Sequence, residues 1–328
     1  MKAAVATRYG APEVLQIVER AKPTPAPNEV LIKVYAGTVT AGDCRMRAFN
    51  VPKLFYIPAR LALGITKPRR DIVGMELAGI VEAIGEKVTR FNLGDAVCGS
   101  TTKAGFGGNA EYKCLPENVA ITKIPDNVGF DEAATLPIGA TTALWFLRQA
   151  KIDKPISSGA LKRKVLIYGA SGSVGTFAVQ LAKYFGAEVT AVCSTPNIDL
   201  VQSLGADKVI DYTAQDFTQN GKVYDVIFET VSKVTFKKCK NSIARGGYYL
   251  DTVGLTPGLT GWGSGRKVIG GSAPEKAEDL AFLIHLVAQG KLKAVIHKTY
   301  PLNEVALAHQ YVDTGRKRGN VVIKVREF

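Results

Sequence analysis

The sequence predicts an α/β protein of two domains, a mostly antiparallel β domain and a doubly wound parallel sheet. Three observations predict it. The chain has 328 residues, more than one hydrophobic core usually serves. Residues 1–122 read as short strands broken by Gly and Pro turns. From residue 123 onward, apolar strand-like runs alternate with helical stretches, the pattern of a sheet covered on both faces.

The β-rich part contains Val30–Tyr35 and Glu76–Gly85 as strands, and Gly94-Asp95 as a turn before Ala96–Cys98. Residues 50–70 hold prolines, aromatics and basic residues, and read as a loop or lid. A helical stretch opens at Asp131 and runs through Leu147. Parallel strands are then expected at 165–168, 188–193, 208–210, 224–228, 247–251 and 267–269. Leu280–Gln289 is an amphipathic helix closed by Gly290, and Asn320–Val325 is a final strand.

Composition sets outer limits. With 46% hydrophobic and 22% charged residues, the chain is globular rather than disordered. No apolar run reaches the roughly 18 residues that a membrane span needs. The N-terminus runs straight into a strand, so no cleavable signal is expected. The net charge of +13 permits nucleic acid, anionic lipid or an anionic small ligand. Cysteines at 44, 98, 114, 193 and 239 form no C-x-x-C pair, which points to free thiols in a reducing cytoplasm. The three histidines, His285, His297 and His309, make no zinc motif.

The strongest chemical signal is Gly169-Ala170-Ser171-Gly172-Ser173-Val174-Gly175, placed between a buried strand and a helix. Small residues there let backbone N–H groups and a helix N-terminus approach a pyrophosphate. Ala170, Gly172 and Gly175 occupy the three fingerprint positions, as in a Rossmann nucleotide-binding unit. An NAD site usually places Asp or Glu about 20 residues further on, to bond the ribose 2′-hydroxyl. Counting along this chain reaches Ser194 and Thr195, with no acid there. Hydroxyls without a carboxylate favour a 2′-phosphate, so NADP(H) is expected over NAD(H). Tyr212 can flank the adenosine end, or be a half-buried loop aromatic.

The chain resembles the medium-chain dehydrogenase/reductase superfamily, and within it the zinc-free quinone oxidoreductase, zeta-crystallin-like branch. The carrying residues include Glu29–Val34, Asp71-x-x-Gly74-x-Glu76-x-x-Gly79, Gly94-Asp95-x-Val97, Ala134-x-Leu136-Pro137, the glycine loop, Leu204–Asp207 and Val209–Tyr212. Their joint order spans essentially the whole chain. The resemblance implies a GroES-like catalytic domain (residues 1–122 plus 276–328) with the Rossmann domain (123–275) inserted in it. Zinc-using relatives place Cys where this chain has Thr40, and His where it has Met75. Thr and Met do not replace thiolate and imidazole, so no zinc is expected.

The implied reaction is NADPH-dependent reduction of a quinone or α,β-unsaturated carbonyl by hydride transfer. Conjugation makes the accepting carbon electrophilic, so a Lewis acid is less necessary. By family position Thr40 and Asp43 line the catalytic-domain side of a cleft. Thr142, Val253, Gly254, Arg318 and Asn320 reach the cofactor. Tyr56 and water are alternative proton donors. The structural reading stands beside each: a capping Thr, a turn Asp, a solvated Arg. The resemblance and the hydrophobic sixth strand also suggest a homodimer.

Other classes fit less well. A short-chain dehydrogenase needs Tyr-x-x-x-Lys, and none of the 12 tyrosines has Lys four residues later. Gly169–Ser173 imitates a serine nucleophile elbow, but Ser173 stands where its second glycine belongs. A non-catalytic NADPH-binding protein, redox-sensing or structural, remains the alternative. Scattered basic clusters come with no nucleic-acid module, so no nucleic-acid partner is expected. Peripheral contact with anionic membrane is the better use of the charge.

Overall fold

The computed structural model describes residues 1–51, 55–154, 161–252, 261 and 263–327. The chain divides into two compact units, residues 1–138 with 275–289 and 296–328, and residues 139–274 with 290–295. The sequence placed residues 123–138 with the nucleotide-binding part; here they fall in the first unit, and 290–295 in the second.

The first unit runs β1 (Lys2–Ala6), β2 (Leu15–Glu19), β3 (Glu29–Thr38), α1 (Ala41–Arg47), α2 (Tyr56–Leu63), β4 (Glu76–Ile84), β5 (Ala96–Ser100), β6 (Tyr112–Pro116), β7 (Ile121–Lys123) and α3 (Phe130–Ala133). The second contributes α4 (Thr141–Gln149), β8 (Lys164–Tyr168), α5 (Ser173–Tyr184), β9 (Glu188–Cys193), α6 (Ile198–Ser203), β10 (Lys208–Asp211), β11 (Tyr224–Glu229), α7 (Phe236–Cys239), β12 (Ile243–Asp251) and β13 (Lys267–Gly270). The chain returns to the first unit with α8 (Ala277–Ala288), β14 (Ile296–Pro301), α9 (Val305–Asp313) and β15 (Asn320–Lys324).

In the first unit β1 and β2 pair antiparallel, and a larger sheet has the order β14-β15-β3-β4-β5-β7, with β6 also on β3. Only the β14–β15 pair is parallel in that sheet among the described residues. Alternation along β3 sends Val30, Ile32 and Val34 into one cluster with Leu77, Val97, Leu115 and Ile121. A second cluster joins Ala4, Val39, Leu302, Val305, Val312, Val321 and Ile323, so the C-terminal return is part of this unit's core. This is the GroES-like, mostly antiparallel domain.

The second unit is a parallel sheet of order β10-β9-β8-β11-β12-β13, the doubly wound Rossmann arrangement. Its central strands are apolar runs because helices cover both faces. Val165, Leu166 and Ile167 of β8 are fully buried. The order reverses between β8 and β11, and the glycine loop follows β8 there. The stretch read as a lid contains α2, and the expected long helix from Asp131 is instead α3, a π-helical turn at Leu136–Ala140 and α4.

Candidate functional site

In the second unit the loop after β8 is closed by backbone hydrogen bonds and by the Thr230 hydroxyl. Gly169 adopts φ +79°, a left-handed conformation that disfavours a side chain. The amides of Gly169 and Ala170 both donate to the Val192 carbonyl at 3.1 Å, and the Gly172 amide donates to the Gly169 carbonyl at 3.0 Å. The Thr230 hydroxyl donates to the Tyr168 carbonyl at 2.8 Å, tying the end of β11 to the end of β8. Gly172 is the N-cap of α5, and Ser173, Val174 and Gly175 make its first turn. First-turn amides of a helix have no intrahelical acceptor and point outward with the positive end of the dipole. Ser171 and Gly172 therefore sit at a ready-made anion cradle.

The glycines divide the labour. A Cβ at Gly175 would fall well inside contact distance of the Gly169 carbonyl and Ala170 backbone, so this glycine lets α5 pack on the loop. A Cβ at Gly172 would meet only the Gly169 carbonyl, at 3.4 Å, so the space above it is open. Glycine there keeps an approach clear, which is what a pyrophosphate needs. The residues present thus fit a dinucleotide.

Ser194 and Thr195 lie directly after β9, as expected. The Ser194 hydroxyl accepts from Asn197 Nδ2 at 3.0 Å. The Thr195 hydroxyl donates to the Asp211 carboxylate and lies 3.5 Å from the Thr213 hydroxyl. The premise that no acid reaches this point is thereby corrected. Counting along one strand misses Asp211, which arrives at the end of the neighbouring β10. Its donors, Thr195 first and then Thr213, hold its carboxyl below the usual range. Tyr212 is half exposed, its ring 6.1 Å from that of Tyr168. Thr142 is partly buried near the start of α4. Val253 and Gly254 lie outside the described residues.

Glu229, at the end of β11, is a residue that sequence reasoning missed. Its buried carboxylate accepts from the amides of Val231 (2.7 Å), Val234 (2.8 Å) and Lys233 (3.3 Å), which fixes the turn behind the glycine loop. Burial raises its carboxyl, and those amides oppose the rise.

In the first unit Thr40 caps α1. The Asp43 amide donates to Thr40 Oγ1 at 3.1 Å, while the Thr40 amide (2.8 Å) and hydroxyl (2.6 Å) donate to Asp43 Oδ2. This is a capping box with Asp at its third position. Burial pushes the Asp43 carboxyl up to about 6, against the Thr40 bonds that lower it. Thr40 Oγ1 also lies 3.7 Å from Met75 Sδ. Among the described residues, no three His, Cys, Asp or Glu side chains converge as a metal set.

Beside Met75, Glu76 is fully buried. Its Oε1 accepts from the Ile138 amide at 2.6 Å, and its Oε2 from the Thr38 hydroxyl. Burial pushes its carboxyl up to about 7. The Lys317 ammonium feels Glu76, yet burial brings Lys317 down to about 8. Neither was singled out from sequence as an ionisable partner of the other. The Arg318 amide donates to His297 Nδ1 at 3.1 Å, Asn320 is buried at the start of β15, and Tyr56 is 45% exposed on α2.

Comparison with known proteins agrees with this geometry. The alcohol dehydrogenase GroES-like domain matches residues 26–126, and the zinc-binding dehydrogenase family matches residues 204–323. The chloroplast envelope quinone oxidoreductase homolog of Arabidopsis thaliana is 32% identical, over 94% of each chain. The NADPH-dependent alkenal/one oxidoreductase of the same plant is 30% identical, over 98% of this chain and 79% of its own. The solved quinone oxidoreductase of Coxiella burnetii superposes with a TM-score of 0.87 at 28% identity, covering 99% of both chains. The chain belongs to the medium-chain dehydrogenase/reductase superfamily, in its quinone oxidoreductase-like branch, and is an NAD(P)H-dependent oxidoreductase of the quinone/alkenal reductase type.

Proposed function

We propose that the protein is an NADPH-dependent reductase of quinones or α,β-unsaturated carbonyls that works without zinc. The single observation that carries this reading is the open glycine cradle at Gly172, aimed by β8 and α5. When bound, the nicotinamide supplies the hydride. The chain's own part is binding and positioning: Ala170–Gly175 hold the pyrophosphate, Ser194 and Thr195 take the adenosine ribose, and Tyr212 flanks its end. Thr142, Val253, Gly254, Arg318 and Asn320 complete the proposed cofactor contacts.

Thr40, Asp43 and Tyr56 are the proposed polar residues on the catalytic side. Tyr56 Oη accepts from Arg60 Nη2 at 3.0 Å, which leaves its own proton to donate. The zinc-free reading rests on donor chemistry. The Thr40 hydroxyl is committed to Asp43, and Met75 offers a thioether, which is not among the thiolate, imidazole and carboxylate groups that bind Zn²⁺ in proteins. Five free thiols support a reducing compartment, the cytoplasm being the proposed one. The edge position of β13 supports a homodimer with a continuous sheet.

The test is NADPH oxidation against a benzoquinone, an enal, an enone and a simple aldehyde. Turnover of the conjugated acceptors over the aldehyde supports the proposal. NADPH binding with no turnover of any acceptor would leave the non-catalytic reading in its place.

A further inference from the structure

We propose that α2 and the segment after it dock this protein reversibly on an anionic lipid surface. None of the residues of α2 is buried. Ile57 is 72% exposed, Leu61 58% and Ile65 66%, and Phe55 is also exposed. Ile57 and Leu61 are four residues apart, so they project from one face of the helix. This apolar group is no frayed end. The Arg60 guanidinium lies 4.0 Å from the Phe49 ring and 4.6 Å from the Tyr9 ring, and donates to the Ile65 carbonyl at 2.6 Å. Arg60 thus pins the base of the helix to the domain while the aliphatic side chains stay in water.

Charge selects the occupant. Between Cys44 and Arg70 every charged residue is Lys or Arg, with no Asp or Glu. Arg45, Lys67, Arg69 and Arg70 are exposed. A second copy of this chain meeting the same patch would set like charge against like charge. Nucleic acid would satisfy the cations and leave Ile57, Leu61 and Ile65 without a use. An anionic bilayer satisfies both, since acyl boundary accepts the aliphatics and headgroups accept the arginines. Each term is small, so the attachment is peripheral and salt-sensitive. The inference goes beyond the reductase reading, and either can fail without the other.

The experiment is flotation of the full chain with vesicles of phosphatidylcholine alone, or with added phosphatidylglycerol, at low and high salt. Binding is expected only with phosphatidylglycerol and only at low salt. Arg69→Glu with Arg70→Glu should weaken it by roughly 25-fold or more, at about fivefold per cation. Ile57→Ser with Leu61→Ser should weaken it roughly tenfold. Lys237→Glu with Lys240→Glu, exposed in the other unit, should leave it unchanged, and circular dichroism should show all variants folded. Equal binding to both vesicle types, no binding, or equal loss in both charge variants overturns the proposal. Sedimentation showing that Ile57→Ser with Leu61→Ser dissolves a dimer gives the patch to a second copy instead. DNA binding that Arg69→Glu with Arg70→Glu abolishes, without vesicle binding, gives it to nucleic acid.

Discussion

The hydroxyl of Thr195 donates to the carboxylate of Asp211, tying the C-terminal ends of two neighbouring parallel strands. Asp211 also accepts from the Thr213 amide at 2.9 Å and the Thr213 hydroxyl at 2.7 Å. These donors hold its carboxyl below the ordinary carboxylate range, so it carries its charge at neutral pH as an exposed aspartate does. A ribose 2′-hydroxyl would find an acceptor in this group, whereas a 2′-phosphate would meet a like charge.

Asp211 therefore opposes the hydroxyls that favour NADPH. Asp211→Asn keeps an oxygen acceptor for Thr195 and removes the charge. The KM for NADPH should fall roughly tenfold relative to that for NADH. The measurement is initial-rate kinetics with both cofactors at one quinone concentration. A change that favours NADH would sink the idea that this carboxylate faces the 2′-position.

Gly172 and Gly175 give a matched pair of substitutions. Gly175→Ala puts a methyl against the Gly169 carbonyl and Ala170 backbone, atoms that cannot rotate away. It should cost about 1–3 kcal/mol of stability and lower the melting temperature even without cofactor. Gly172→Ala has room in the protein alone, so its melting temperature should stay close to wild type. Its NADPH affinity, read by nucleotide fluorescence, should nevertheless fall at least roughly tenfold, because the methyl occupies the pyrophosphate's path. Unchanged affinity in Gly172→Ala would remove the cradle from the site.

What the sequence made legible was local. A strand, small residues and a helix follow one another within Lys164–Tyr184, so the cradle could be read directly. The Thr40-x-x-Asp43 spacing likewise carries its capping box within four residues. What failed to show was whatever arrives sideways. Asp211 stands beside Thr195 only because β10 pairs with β9 in parallel register. Glu76 looks like an ordinary charge at a strand start, and Lys317 like one more residue in a solvated run between Arg316 and Arg318. The burial of Glu76 and the partial burial of Lys317 come from packing over long chain separations, which no spacing rule along the chain reports.

Zinc gives the third prediction. Prolonged dialysis against a chelator should leave NADPH-dependent quinone reduction unchanged, and elemental analysis should find far less than about one zinc per chain. The Thr40 hydroxyl and Met75 thioether supply no thiolate or imidazole at those positions. Stoichiometric zinc that is lost together with activity would refute this, and would place a metal on residues other than these.

Glu76 gives the last prediction, in the pH dependence of stability. Burial first, and then the nearby Asp43, push its carboxyl up to about 7 in the folded protein, although the Thr38 and Ile138 bonds oppose this. In the unfolded chain it titrates near the ordinary value of about 4.3. The folded state therefore holds the proton more tightly, so the contribution of Glu76 to stability falls as pH rises through about 4 to 7, and is flat above. The total fall is on the order of 4 kcal/mol. Lys317 acts elsewhere: its lowered value, about 8, destabilises the fold as pH falls through about 10 to 8. Asp43 shares the acidic window, since burial raises it to about 6, so the wild-type slope alone is ambiguous. Glu76→Gln isolates the term. Its carbonyl still accepts from the Ile138 amide, its NH₂ can donate to a rotated Thr38 hydroxyl, and nothing titrates. The variant should match wild type near pH 4 and increasingly exceed it in melting temperature up to about pH 7.5. Parallel melting curves for the two proteins across that range would show that Glu76 does not hold its proton in the fold.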